Sequence, residues 1–525
     1  MGRASRDDRA QGLSNLAQRL PAAIAAAQTQ FEQEVIVLAR APRGFAAGFA
    51  SARARLLAPL DAAEHEASVR GTQTLSSAVR KGRKLVDGLL AECLGDAALL
   101  RTLERAAPSG RQWQQLRLDF EDAGARLSVS QRRELHALSH SLQQQTQAFC
   151  DHAVRGPSAG LVRARLRAQT DPRQREQTWA AFHNHASAAA HLPLEILRLR
   201  RDWARLLGFS HYASWVERDV ASPETTMGWL DAMAEAARAR AQMQPPTEPW
   251  NRHAANGDVE RVTLPRDLVV ERLRATAQAL VPSVTIGFDV EPRLGKRGGA
   301  WTHVPATPGA PVTVCASLAV DIDLEGLRTL LHEVGHAAEA LVSPTGLRIA
   351  PNALEFSSTI LEPFAWHAPT LEQLTGRVVE QRALSQARRA RFGRPTLGHL
   401  ALARADRALH ADFNPDTDGS PLPWARRVYE RVEGMPRDPR DATVATHMHL
   451  FARPHGYAAR YATYPLGDAL AEHHWAHGAQ NLPSTLSALA STLWTAEGRG
   501  DPIGMLSRVA GAPASPAAFI RATLA

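Results

Sequence analysis

The segment 331–337 holds the residues whose types and spacing most clearly suggest chemistry. His332 and His336 are four positions apart, so on a helix both imidazoles lie on one face and can reach a single zinc ion. Glu333 would lie beside the open position of that ion, where it could act as a base toward a water molecule. So short a pattern also arises by chance, and its surroundings must support it.

The pattern falls in a predicted helix with a broad apolar face. Asp321 and Asp323 are candidate N-caps, and the segment 343–346 should end the helix. The apolar face consists of Leu324, Leu327, Leu330, Leu331, Val334, Ala338 and Leu341. Such a helix should be largely buried, where polar groups are unfavourable unless they are paired or bound to metal. The alternative is that these histidines are core residues held by hydrogen bonds.

A third metal ligand has to come from another element. Glu355 lies 19 residues after His336, which leaves room for a turn and a returning antiparallel helix over 354–366. Glu362 lies two turns further along the same face and suits an outer role, holding a ligand imidazole in one tautomer. Glu339 is a rival ligand, although its side chain would have to bend back along its own helix. A solvated helix face is the alternative interpretation of Glu355 and Glu362.

Tyrosines are concentrated near residue 460. The chain has five tyrosines, and Tyr457, Tyr461 and Tyr464 fall within eight positions at i, i+4 and i+7 spacing. On a helix they would form one stripe of neutral O–H donors, suited to an oxyanion that develops on a polarised carbonyl. Ordinary packing is the alternative interpretation of this stripe.

Together these motifs resemble the thimet oligopeptidase and oligoendopeptidase family of zinc metallopeptidases, which includes oligopeptidase A. The family's H-E-x-G-H helix matches 331–337, its E-x-P-S-Q-x-x-E segment resembles 355–362, and its tyrosine run, which begins with a histidine, resembles 449–464. A glycine-rich segment of the family also resembles 296–301, and its helical lead-in resembles 197–209. The likeness is good from about Asp171 onward.

The resemblance implies a role for each matching residue. It implies one zinc ion bound by His332, His336 and Glu355, with Glu333 as general base and Glu362 in the second shell. Substrate and transition state would be faced by His449, Tyr457, Tyr461 and Tyr464, of which Tyr461 and Tyr464 suit the oxyanion best. Gly298 and Gly299 would lie on a strand that lines the cleft, where an extended peptide could pair with its edge.

The chain also departs from the family pattern. Glu339 stands where the family usually has histidine, and the connection from the metal helix to Glu355 is short. Two extra residues near 453–455 leave open whether His449 or His455 faces substrate. The region 248–289 is shortened as well. These changes bear on substrate length more than on the chemistry.

The predicted fold is mainly α, with an N-terminal helical region over 1–167 and a catalytic region over 168–525. Alternating residues over 284–290 and extended segments over 300–314 predict one small β-sheet beside the metal helix. The resemblance adds a large two-lobed helical body with a deep central channel that excludes folded proteins.

Composition agrees with a large enzyme. The 525 residues are 44% hydrophobic, and the formal charge of +8 comes from basic residues scattered among acidic ones, so no nucleic acid partner is expected. Three widely separated cysteines favour a reducing compartment. No apolar run has the length of a membrane span, and the start of the chain does not resemble a signal sequence. We therefore expect a cytoplasmic protein, monomeric or weakly oligomeric, that does not bind membranes.

The sequence thus predicts a zinc metalloendopeptidase that hydrolyses peptide bonds in short unstructured oligopeptides. Two alternatives remain, a dedicated processing peptidase for one peptide and a catalytically silent peptide-binding protein. A zinc carboxypeptidase built on the same His/Glu motif is the nearest enzymatic rival, but it lacks the tyrosine run.

Overall fold

A computed structural model describes residues 6–106, 109–220, 222–244, 248–252, 262–280, 286–293, 296–306, 310–343, 349–477, 481–495 and 501–525. The helices in chain order are α1 Arg6–Ala39, α2 Phe45–Arg70, α3 Gln73–Leu94, α4 Ala97–Arg105, α5 Arg111–Asp122, α6 Val129–Arg155, α7 Ala159–Ala168, α8 Pro172–Ser187, α9 His191–Leu206, α10 Tyr212–Glu217, α11 Pro223–Gln242, α12 Arg266–Leu280, α13 Leu324–Val342, α14 Phe356–Thr359, α15 Ala368–Thr375, α16 Gln381–Arg389, α17 Arg394–Ala411, α18 Pro421–Glu433, α19 Thr443–Thr446, α20 Met448–Phe451, α21 Thr463–Ala476, α22 Leu482–Ser491, α23 Pro502–Ala510 and α24 Ala517–Leu524. The prediction of a mainly α fold is confirmed.

The strands are short and form two small sheets rather than the single sheet predicted. They are β1 Leu264–Pro265, β2 Gly287–Asp289, β3 Trp301–His303, β4 Thr313–Cys315 and β5 Asp321–Ile322. One sheet has the order β2-β4-β3, with β4 parallel to β2 and antiparallel to β3, and the other pairs β1 with β5. Val284 and Thr285, at the start of the predicted first strand, lie outside the described residues.

The chain divides into two compact units that interleave along the sequence. The first contains Met1–Arg132, Pro265–Ile322 and His336–Arg348, and the second contains the remaining segments, with helix α13 contributing to both. The predicted functional division at residues 167 and 168 stays a prediction.

Each unit has a helical core of its own. In the first unit α1, α2 and α3 pack together, and Phe49 contacts Phe31 and Phe45 with ring centroids 5.7 Å apart in both pairs. In the second unit α17 packs on α11 and α18, and α21 packs on α14 and α24. No helix in the described ranges is long and apolar enough to cross a membrane.

Helix α13 carries the predicted metal-binding motif and follows strand β5 almost directly. Asp323 caps it, because its Oδ1 accepts a hydrogen bond from the Gly326 amide at 2.8 Å. The other candidate cap was wrong, since Asp321 lies in β5. The helix ends at Val342, near the predicted end of the apolar run.

Gly335 lets α13 come close to the segment that carries Glu355. A Cβ atom built at Gly335 would lie 2.2 Å from the Ser357 carbonyl oxygen and 2.7 Å from the Ser358 Cα. Both neighbours are backbone atoms and cannot rotate away. The glycine is therefore required by the distance between two backbones, not by its φ angle.

We expect Gly335→Ala to lower the free energy of unfolding by about 1–3 kcal/mol, the usual effect of overpacking a filled interior. Gly228→Ala in α11 is the matched control, because nothing lies within 4 Å of a Cβ built there. This control should stay within about 1 kcal/mol of the parent. Denaturant unfolding of the three proteins tests the prediction, and equal stability of both variants would contradict it.

Candidate active site

Three of the predicted ligand residues lie together in the structure. One nitrogen from each of His332 and His336 and one oxygen of Glu355 all lie within 4.8 Å of one another, and the described residues contain no other group of this kind. The histidines come from successive turns of α13, while the carboxylate comes from the segment that Gly335 allows to approach. Two imidazoles and one carboxylate are a donor set that suits a zinc ion with one position left open.

His332 lies between two carboxylates. Its Nδ1 is 2.8 Å from Glu362 Oε1, and its Nε2 is 3.2 Å from Glu355 Oε2. Burial by itself lowers the pKa of His332, but the hydrogen bonds and negative charges of Glu355 and Glu362 raise it to about 10. The surroundings of this ring therefore favour positive charge.

Glu362 is held by two arginines that the sequence did not point to. Arg328 Nη1 donates to Glu362 Oε2 at 2.9 Å, and Arg391 Nη2 lies 3.5 Å from the same oxygen. Burial alone would raise the pKa of Glu362, but the charge of Arg328 and the hydrogen bond to His332 hold it well below its usual range. Arg328 lies one turn before His332 on α13. The spacing of four residues could therefore have predicted from the sequence that Arg328 lies near this site.

Glu355 is fixed by its own backbone and by neighbouring hydroxyls. It is 1% exposed, and its amide donates to Thr463 Oγ1 at 3.0 Å. Ser358 Oγ donates to Glu355 Oε2 at 3.1 Å, while Thr359 Oγ1 donates to the Glu355 carbonyl oxygen at 2.7 Å. The carboxylate is therefore buried with partners that hold one orientation.

The continuous helix predicted over 354–366 is wrong. Only Phe356–Thr359 is α-helical, and a 3-10 helix follows over Glu362–Trp366. Pro363 explains the break, because its ring would clash with the carbonyl of residue 359 in a regular α-helix. Glu355 and Glu362 nevertheless converge on His332. Ser357, which replaces the family's usual proline, accepts a hydrogen bond from Trp494 Nε1 at 2.9 Å.

Helix α13 carries two further glutamates, Glu333 and Glu339, near the group formed by His332, His336 and Glu355. Glu333 is 6% exposed and directly follows His332. Glu339 is also buried, but the group of three ligand residues contains Glu355 and not Glu339. The geometry therefore favours Glu355 over Glu339 as the third ligand.

The three tyrosines are close together, although not on one helix. Tyr464 lies 4.9 Å from Tyr461 and 5.9 Å from Tyr457 between ring centroids, and Tyr457 donates a hydrogen bond to Glu355 Oε1. Burial raises the pKa of Tyr457 and of Tyr464, and the Glu355 charge raises each further, so both phenols keep their protons. Neutral hydroxyls can donate hydrogen bonds to a developing oxyanion.

The helical stripe predicted for these tyrosines is wrong, because residues 453–462 form bends and turns and α21 begins only at Thr463. Ala459 has φ of 57°, a left-handed conformation that interrupts helical geometry. The buried Asp406 stabilises this path by accepting hydrogen bonds from the amides of Ala459 at 2.9 Å and Tyr461 at 3.0 Å.

A fully buried arginine holds the other end of this turn region, which includes Arg453 and Pro454. Arg200 donates to the carbonyl oxygens of Pro454 and Arg453, each at 2.9 Å. Its Nη1 lies 3.0 Å from His410 Nε2, so that nitrogen accepts and His410 Nδ1 carries the proton that faces Asp406. Burial lowers the pKa of Arg200 to about 10, and it stays charged at neutral pH.

The structure separates His449 from His455. The His449 ring lies 5.1 Å from Tyr457 and 6.3 Å from Tyr464 between centroids, so it borders the tyrosine cluster. His455 packs among Trp203, Tyr212 and Trp215, and its Nδ1 lies 3.0 Å from the Tyr212 hydroxyl. The geometry favours His449 as the histidine at the site, and the substrate role predicted for His455 has no support from its contacts.

Gly298 and Gly299 form a bend rather than the predicted strand. Gly299 has φ of 87°, and strand β3 begins only at Trp301. Because β4 lies between β2 and β3, β3 is at the edge of its sheet. Pairing of a peptide with this edge stays a prediction.

Comparison with known proteins agrees with the motifs. The sequence pattern of "Peptidase family M3" matches residues 284–523. Residues 284–523, less than half of the chain, thus resemble peptidase family M3. This confirms the resemblance inferred from the motifs. The M3 region contains the His332, His336 and Glu355 group and the tyrosine cluster, whereas Arg200 lies before it.

Curated relatives and a solved structure extend the comparison. Probable cytosolic oligopeptidase A of Arabidopsis thaliana is 28% identical over 209 residues, which cover 33% of this chain and 30% of that protein. Oligopeptidase A of Escherichia coli (strain K12) is 22% identical over 363 residues, which cover 53% of each. The chain thus spans about half or less of the length of these relatives. PZ peptidase A with inhibitor 2 has the same fold, with a TM-score of 0.66 over 96% of this chain and 95% of that one at 14% identity.

We expect Asp406→Asn to lower the free energy of unfolding by about 1–3 kcal/mol, because the amide cannot accept from every N–H that Asp406 serves. Asp416→Asn is the matched control, since Asp416 forms ion pairs at an exposed position, where solvent screens the charges, and its replacement should leave stability close to that of the parent. Denaturant unfolding provides the measurement. A loss at Asp406 no greater than the loss at Asp416 would contradict the role assigned to the buried carboxylate.

Proposed function

We propose that this chain is a zinc-dependent metallopeptidase that hydrolyses peptide bonds in short unstructured peptides. The observation that carries the proposal is the convergence of His332, His336 and Glu355, with Glu333 directly following the first histidine. The match of residues 284–523 to peptidase family M3 supports the reaction class.

The donor set fits zinc. It offers two nitrogens and one oxygen, the Nδ1 of His332 faces Glu362 as expected for a ligand imidazole held by a carboxylate, and the negative charges around the ring favour a cation. When bound, zinc would supply Lewis-acid chemistry that activates water and polarises the scissile carbonyl.

Side chains of the protein would then transfer the proton and stabilise the developing negative charge. Glu333 takes a proton from the attacking water and passes it to the leaving amine. Tyr464 and Tyr461 donate hydrogen bonds to the oxygen of the tetrahedral intermediate. Glu362 and its arginines keep His332 in one orientation throughout.

The substrates and the cellular location that we propose are based on the names of the similar proteins. Two of them are named oligopeptidase A, and one of these is named as cytosolic, so we assign short peptides as substrates and the cytoplasm as the compartment. The endopeptidase mode is also part of the proposal.

Replacement of Glu333 should separate zinc binding from catalysis. We expect Glu333→Gln to retain stoichiometric zinc and to lose about 10³- to 10⁵-fold in kcat, because the base is removed while the metal ligands stay in place. Glu372→Gln is the control, an exposed glutamate on α15. Turnover of a quenched fluorescent peptide and metal analysis of the same samples give both readouts. Near-parental turnover by Glu333→Gln would reject the mechanism.

The choice of third ligand can be tested with the two competing glutamates. We expect Glu355→Gln to weaken zinc binding by at least about 10–100-fold, the loss reported even for groups that only orient the ligands. Glu339→Gln should keep parental zinc affinity, because Glu339 is not part of the ligand group. Competition with a chromophoric chelator measures both affinities. Zinc loss from Glu339→Gln but not from Glu355→Gln would reverse the assignment.

A further inference from the structure

Tyr457 makes a contact that differs from the substrate-facing role that the sequence predicted for it. Its hydroxyl donates a hydrogen bond to Oε1 of Glu355, the proposed third zinc ligand. The other carboxylate oxygen, Oε2, lies 3.2 Å from Nε2 of His332 and accepts a hydrogen bond from Ser358. The phenol therefore binds one oxygen of Glu355 while the other oxygen faces the proposed metal ligands.

The carboxylate end of this contact is buried. Glu355 is 1% exposed, and the Tyr457 ring packs against that of His449 at 5.1 Å between centroids. Burial raises the pKa of Tyr457 and the charge of Glu355 raises it further, so the phenol keeps its proton and acts as the donor. A hydrogen bond to a charged group is stronger than one between neutral groups. Removal of this hydroxyl would therefore remove a strong constraint on the Glu355 carboxylate.

The backbone on both sides of Tyr457 is anchored by buried side chains. Before it, Arg200 donates to the carbonyl oxygens of residues 453 and 454, each at 2.9 Å. After it, Asp406 accepts from the amides of residues 459 and 461 at 2.9 and 3.0 Å. Both anchors bind backbone groups and are 0% exposed. The fold therefore sets the position of Tyr457 through contacts that do not involve Glu355.

We infer that Tyr457 is a positioning residue for Glu355 and that its hydroxyl raises the affinity of the site for zinc. A ligand carboxylate that is held in one orientation by a hydrogen bond loses less freedom when it binds an ion, and groups of this kind strengthen metal binding. Tyr457 would thus act on the metal through Glu355 and would not contact the substrate. The inference rests on the proposed function, because it concerns the same metal group.

Tyr464 is a second phenol near Glu355. It also forms a side-chain interaction with that carboxylate, and its ring lies 5.9 Å from that of Tyr457. Tyr464 belongs to helix α21, however, whereas Tyr457 lies in the anchored turn region. The mechanism proposed above assigns Tyr464 to the substrate oxygen. The two phenols therefore have to be compared in the same experiment.

The zinc affinity of Tyr457→Phe tests the inference without turnover. The substitution removes one hydroxyl and keeps the ring that packs on His449. We expect the affinity, measured by competition with a chromophoric chelator, to fall by about 10–100-fold. Tyr461→Phe is the matched control, because it removes a hydroxyl from the same turn region and Tyr461 has no hydrogen bond with Glu355 in the part of the chain that the structure describes. This control should keep the wild-type affinity.

Peptide cleavage measured against buffered free zinc separates the two possible roles of Tyr457. If the phenol acts through Glu355, the zinc concentration that gives half-maximal activity should rise in Tyr457→Phe by the same factor as the affinity falls. Tyr461→Phe should instead lower the maximal activity and leave that midpoint in place, because Tyr461 is proposed to donate to the substrate oxygen. A lower maximum with an unchanged midpoint in Tyr457→Phe would overturn the inference and assign Tyr457 to the substrate.

The role of Tyr457 and the peptidase function can fail separately. The chelator competition contains no peptide, so weaker zinc binding by Tyr457→Phe alone supports the inference even if the wild type cleaves no peptide. Wild-type zinc affinity in Tyr457→Phe, together with peptide cleavage by the wild type, keeps the peptidase and rejects the positioning role. A loss of zinc affinity in Tyr464→Phe but not in Tyr457→Phe would also reject it.

Discussion

The site depends on one buried arrangement, an imidazole held between two carboxylates. His332 contacts Glu355 through one ring nitrogen and Glu362 through the other. Two buried carboxylates would repel each other and would be poorly solvated, so this arrangement requires positive charge in its immediate surroundings. Arg328 and Arg391 supply part of that charge from the side of Glu362.

This electrostatic requirement explains features that would otherwise be unrelated. Gly335 removes a side chain so that the backbone of Ser357 can lie against α13 and deliver Glu355 to the histidines. Ser358, Thr359 and Thr463 then hold Glu355 through its side chain, carbonyl and amide. Close backbone contact and dense hydrogen bonding keep the carboxylates in positions where they can share a cation.

A second buried network sets the position of the tyrosines. Arg200 and Asp406 bind backbone groups of the turn region 453–461, and His410 lies between these two side chains; all three residues are buried. A loop held by backbone groups can change its side chains without changing its path. Along this path Tyr457 and Tyr464 both reach Glu355.

Charge is distributed unevenly around the site. The carboxylate of Glu362 beside His332 has cationic partners in Arg328 and Arg391, whereas the hydroxyl groups of the tyrosine cluster are neutral.

The sequence by itself determined the mainly α character, the pair of histidines with Glu333, and the carboxylates Glu355 and Glu362. The helical period predicts that residues three or four apart share a face, which accounts for His332 and His336. The resemblance to family motifs predicted the roles of Glu333, Glu355 and Glu362. The sequence was wrong about the helices expected around Glu355 and Tyr457, because the effects of Pro363 and of the hydrogen bonds to Asp406 on the backbone outweigh the apparent periodicity.

Only the tertiary structure shows that His449, and not His455, borders the tyrosine cluster. Only it brings Arg328, Arg391, Asp406 and Arg200 to their partners. Arg200 meets the turn region at a separation of more than 250 residues, and no local pattern encodes so distant a contact. The division between the two compact units is likewise not visible as a boundary in composition. Local spacing fixes which side chains share a face, whereas the fold alone fixes which faces meet.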